Sequence, residues 1–161
     1  MPSMDRRTLL ASLGAAAAGG LAGCETPGSG AASAGSLRFE NDHDLPHAIR
    51  LEVTGVGTDP GVDTGAVTGT VTAPPAQRDL TATATVDPGE RETYERVFTE
   101  RAWYGVQFTL DGEEPANDAG RTAFHPAPPD GDTGNVLAGR VYESSEFSWV
   151  VSSTENLGSF D

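Results

Sequence analysis

Three histidines are the residues of this 161-residue sequence best suited to chemistry. Asn41-Asp42-His43-Asp44-Leu45-Pro46-His47 packs two imidazoles and two carboxylates into one bend, and His125 stands apart. Imidazole and carboxylate suit a divalent transition metal, and a bend can converge them. His43, His47 and His125 are therefore the candidate metal ligands. A type 1 copper centre does not fit, because it needs a Cys thiolate and the single Cys, Cys24, lies far upstream. The competing expectation is a solvated turn in which Asp and Asn serve bend geometry. Paired acids such as Asp42 with Asp44, or Glu113 with Glu114, could serve glycoside chemistry, but chance pairs are expected among 24 acidic residues. No G-x-S-x-G elbow and no phosphate-loop or dinucleotide fingerprint is present, so no catalytic residue is assigned and no cofactor is expected. Trp103 near Arg101 is a candidate binding surface if it faces out of its strand, since an exposed Trp can anchor a partner or a sugar ring. Otherwise it covers one end of the fold.

The clearest chemistry is at the N-terminus. Asp5-Arg6-Arg7-Thr8-Leu9-Leu10 leads into the Ala/Gly-rich run Ala11–Gly20 and then Leu21-Ala22-Gly23-Cys24. A charged start, a short and weakly apolar segment and a small-residue end make a signal peptide; a bilayer helix needs about 20 apolar residues. Arg6-Arg7 followed by Leu-Leu resembles the twin-arginine export motif. Leu21-Ala22-Gly23-Cys24 resembles a lipobox, which implies cleavage before Cys24 and lipid on its sulfur. A two-chain lipid anchors stably where a single chain does not. The expected partner is thus membrane lipid through Cys24, on the extracellular side of the cell membrane. Glu25–Gly35 has linker composition.

The cations are all arginine; lysine is absent and Ile49 is the only isoleucine. Removing Asp5, Arg6 and Arg7 from totals of 24 acids and 10 cations leaves 23 acids against 8 arginines, a net charge of −15. Such a surplus repels itself in dilute buffer and is screened in molar salt, where the Debye length is about 3 Å. Lysine-free, isoleucine-poor acidity resembles the proteins of extreme halophiles. It also excludes nucleic acid as a partner, for lack of a basic face.

The elements that must position these residues are strands. Leu37 and Phe39 alternate with Arg38 and Glu40; Ile49, Leu51 and Val53 with Arg50, Glu52 and Thr54; Leu80, Ala82, Ala84 and Val86 with polar or small partners; Tyr104, Val106, Phe108 and Leu110 with Trp103, Gly105, Gln107 and Thr109. Leu137 and Val141, then Phe147, Trp149 and Val151, continue the pattern. Period two means one face to a core and one to water. Asp87-Pro88-Gly89-Glu90 suits a type II turn, Asp111-Gly112 ends a strand, and Ser144-Ser145 suits a tight hairpin. Gly55–Gln77 and Pro126–Gly134 read as loops, the first with a possible edge strand near Ala66–Thr72. No convincing helix is found.

The fold class expected is all-β: an antiparallel immunoglobulin-like β-sandwich of about seven to nine strands, after a signal peptide and a flexible tether. The organisation is 1–23 signal peptide, 24–35 lipidated Cys and linker, 36–153 sandwich, and 154–161 flexible tail. Ser36–Val53, an Asn-containing bend between two strands, with the run from Thr81 through Pro88-Gly89-Glu90 to Tyr104–Leu110, resembles the uncharacterised Ig-like lipoproteins of haloarchaea. The immunoglobulin Cys…Trp…Cys pattern is missing. The resemblance implies address and fold. The functional expectation is a non-enzymatic domain that binds or scaffolds an envelope protein or a small ligand; the alternatives are a His-based metal carrier and a hydrolase of unrecognised type.

Overall fold

The computed structural model describes residues 31–129 and 131–160. Arg6, Arg7, Leu21, Ala22, Gly23 and Cys24 lie outside the described residues. Among the described residues, no helix is long and apolar enough to cross a membrane.

The chain is a β-sandwich. Its strands are β1 (Leu37–Asn41), β2 (His47–Gly57), β3 (Asp59–Pro60), β4 (Val67–Thr68), β5 (Thr81–Val86), β6 (Arg91–Tyr94), β7 (Trp103–Leu110), β8 (Arg121–Phe124), β9 (Gly134–Val141) and β10 (Phe147–Thr154). One sheet has the order β10-β9-β1-β6, the other β5-β2-β7-β8, and β3 with β4 forms a separate small hairpin. That hairpin accounts for the excess over the seven to nine strands expected. One short helix, Pro75–Arg78, lies between the small hairpin and β5.

The alternation read from the sequence builds the core except at Trp149 and Val151, which share the parity of Phe147 but lie exposed on an edge strand. Leu37, Phe39, Ile49, Leu51, Val86, Tyr104, Val106, Phe108, Phe124, Leu137, Val141 and Phe147 form one buried cluster. Phe108 meets Phe147 across the sheets at 5.2 Å between ring centroids. The Asp87–Glu90 turn forms as expected: Gly89 takes φ +74°, and Glu90 N–H donates to Asp87 O at 3.0 Å. The last two strands join through a hairpin with Ser145 at φ +67°.

One pairing departs from the antiparallel expectation. β1 and β9 run parallel, with Leu37 opposite Leu137 and Asn41 opposite Val141. Both strands start at the same end of the sandwich, because the segment after β8 crosses between sheets there.

The termini depart from the expected linker and tail. Ser33 and Ala34 are buried. Ala34 N–H donates to Asn156 O at 2.8 Å and Gly35 N–H to Asn135 O at 2.9 Å, while Thr154 Oγ1 donates to Ala32 O at 2.8 Å. The end of the expected tether and the start of the expected tail are thus parts of one folded unit. Small residues carry this contact: a Cβ on Gly134 would stand 2.1 Å from the Ala34 Cβ.

Candidate functional site

The His43–His47 bend is organised by Asn41. Its buried side chain donates to Leu45 O at 2.8 Å and Val86 O at 2.9 Å and accepts from His43 N–H at 3.0 Å. This fixes the bend between β1 and β2 and turns the two imidazoles together, His43 Nδ1 to His47 Nε2 at 2.8 Å. His47 Nδ1 meets Asp111 Oδ2 at 2.7 Å, and Asp111 Oδ1 accepts from Ala48 N–H at 2.8 Å. Since an ionised carboxylate only accepts, His47 Nδ1 donates to Asp111. His43 Nε2 faces the Asp44 carboxylate at 3.3 Å. Burial alone would raise the Asp111 carboxyl; the His47 and Ala48 hydrogen bonds and the His47 charge outweigh it and hold it below its ordinary value.

The expected metal trio is not assembled. His43 and His47 lie beside the end of β7, whereas His125 follows β8 and lies beside its start. His43 and His47 also spend facing nitrogens on each other. Among the described residues, no group of three or more His, Cys, Asp or Glu is placed to hold a metal. His125 is buried, its ring edge-on to Trp103 at 5.4 Å, and its Nδ1 accepts from Ala127 N–H at 3.2 Å. Burial, then the Arg101 charge, hold its pKa below the usual histidine value. Trp103 is half-buried on that ring, so it closes the end of the sandwich. Arg101 is exposed, with its guanidinium 5.3 Å above the Phe160 ring.

A further concavity carries no motif in the sequence. On the outer face of the second sheet, an open cleft of about 540 Å³ is lined by Glu52, Thr54, Gln107, Thr109 and Arg121, with Asp63 on its wall. The wall is the loop between β3 and β4, closed by Gly61 N–H to Ala66 O at 2.8 Å. It lies flat on the sheet because glycines let the backbones approach: a Cβ on Gly105 would stand 2.4 Å from Gly65 O, and one on Gly57 2.3 Å from Thr68 O. Arg121 donates to Gln107 Oε1 at 2.5 Å and Glu114 Oε2 at 3.3 Å, which holds its guanidinium on the cleft floor. The available signal was glycine inside strands, at Gly55, Gly57 and Gly105, a mark of bulges and close backbone approach. The register of β2 against β7 does shift between Val53 and Gly55.

No protein-family model, curated protein or solved structure matches the chain.

Proposed function

We propose that this chain is a lipoprotein anchored through Cys24 on the outer side of a halophile's cell membrane, whose sandwich domain binds a small polar ligand without transforming it. The loop-walled cleft carries the binding half of this reading: it joins charged and hydroxyl groups on a rigid sheet floor, the setting in which a few polar groups can fix a small molecule's orientation. The address rests on Arg6-Arg7 and on Leu21-Ala22-Gly23-Cys24. The alternative, a metal carrier at His43 and His47, draws no support from imidazole nitrogens already bonded to each other. The hydrolase alternative gains no histidine base beside the hydroxyls of the cleft lining.

Two experiments test the proposal separately. Cys24→Ser should move the protein from membrane to medium or leave it unprocessed; unchanged lipid labelling overturns the anchor. For the cleft, the full chain is screened by thermal shift against sugars, polyols, amino acids and betaines in high salt. A hit should be lost in Gln107→Ala and Arg121→Ala. A hit indifferent to both places the binding site elsewhere.

A further inference from the structure

Among the described residues β10 is the outermost strand of its sheet, paired on one side with β9 from Phe147↔Val141 to Thr154↔Gly134. Its eight residues, Phe-Ser-Trp-Val-Val-Ser-Ser-Thr, hold no charge and no proline. Protein edges of this length are ordinarily blunted by charge, proline or a bulge, because their unpaired N–H and C=O groups template another strand. The hairpin fixes which groups are unpaired. Tyr142 N–H donates to Glu146 O at 2.9 Å; from that bonded pair, antiparallel alternation commits Ser148 and Val150 to the ladder and turns the N–H and C=O of Phe147, Trp149 and Val151 to the free side. Trp149 is 36% exposed and Val151 40%, both beside this free backbone. The other edges differ. β6 and β8 are four residues long and carry Arg91 and Arg121, and β5 exposes threonine and part of its alanines, its Val86 being buried.

We propose that the free edge of β10 receives a strand from a protein partner: an extended segment with a β-branched centre and basic residues at its ends. Backbone pairing supplies the affinity and Trp149 with Val151 the apolar contact. The choice of occupant follows from charge. Exposed Glu143 and Glu146 stand at one end of β10 and exposed Glu155 at the other, so an incoming segment meets carboxylates at both termini and none between. A second copy paired antiparallel on the same edge would lay the acidic start of one β10, with Glu143 and Glu146, beside the acidic end of the other, with Glu155, so like charges would gather at both ends.

The test uses the full chain and three peptides: a Thr-Val-Thr-Val-Thr centre with two lysines at each end, the same centre with two glutamates at each end, and a Gly-Ser centre with the lysine ends. Binding is followed by calorimetry in about 1 M and about 3 M KCl, since screening should narrow any charge preference. The expected result is binding of the lysine-ended Thr-Val peptide at least about tenfold tighter than both others at the lower salt, one decade being about 1.4 kcal/mol. Val151→Pro should abolish it, because that N–H points away from the ladder and its loss costs the sheet no bond. As a check independent of this variant, the peptide should slow exchange of the Trp149 and Val151 amides and leave β5 unchanged. Equal binding of the lysine- and glutamate-ended peptides overturns the proposal, as does equal binding of the Gly-Ser peptide. Sedimentation showing self-association that Val151→Pro removes also overturns it, by giving the edge to a second copy.

Discussion

At the scale of single residues, three side chains hold loops that hydrophobic packing does not reach. Asn41 satisfies three backbone groups around the His43–His47 bend. Asn41→Ala should cost on the order of 3 kcal/mol, because buried carbonyls and an N–H lose their partners; chemical denaturation would measure it, and a loss below about 1 kcal/mol would show the bend holding itself. Tyr104 donates to Gln77 Oε1 at 2.8 Å and accepts from Glu100 N–H at 3.1 Å. Burial pushes its phenol up to about 12. The unfolded chain ionises nearer pH 10, so stability should fall as pH rises from about 10 toward 12. Tyr104→Phe should flatten that limb and cost about 1–2 kcal/mol at neutral pH. Asp111 works at the other extreme. Its lowered carboxyl contributes stability that is complete above the ordinary value of about 3.9 and is lost as pH falls through the lower folded value. Asp111→Asn should remove that part of the acid limb, read by thermal melts between pH 2 and 5. The sequence shows His43 and His47 as a cluster, because they are four residues apart. It shows Asp111 only as a turn residue, since its contact with His47 spans 64 positions and exists only through the pairing of β2 with β7.

At the scale of elements, what was legible follows from whether one face is buried. The first half of β2 alternates between core and surface, and β1, β7 and β9 carry large apolar residues at their core positions, so their side chains announce strands. Gly55–Gln77 has no such contrast. Its glycines, threonines and aspartates form the end of β2, the β3–β4 hairpin and the cleft wall with little apolar pattern to announce them; only β4 falls where an edge strand is expected, near Ala66–Thr72. The hairpin is held by backbone proximity rather than by side-chain burial; Val62 at its tip is wholly exposed. Gly105→Val tests this. The added atoms would push against Gly65 O, and overpacking of this kind costs roughly 1–3 kcal/mol. Hydrogen exchange should rise in residues 61–68 and stay unchanged in β9 and β10. Uniform loss of protection would show that the loop is integral to the sandwich.

At the scale of the whole molecule, the proposal of a halophilic setting makes a direct prediction. With 24 acidic residues against 10 arginines, the fold should lose structure as salt falls below molar levels, followed by circular dichroism; a melt indifferent to salt would remove that setting. The fold already concentrates some of its arginines where they neutralise most. Arg38, Arg91 and Arg140 all lie within 3.8 Å of the nearly buried Glu40 carboxylate. The seam between residues 31–35 and 154–156 decides how the molecule stands. The polypeptide leaves the body at the pole that carries Trp103, Arg101 and Phe160. A lipid there would seat this pole on the bilayer and lift the histidine pair to the opposite summit, roughly 25 Å higher for strands of eight residues standing upright. In that proposed setting, whatever approaches from solution would meet the imidazoles first.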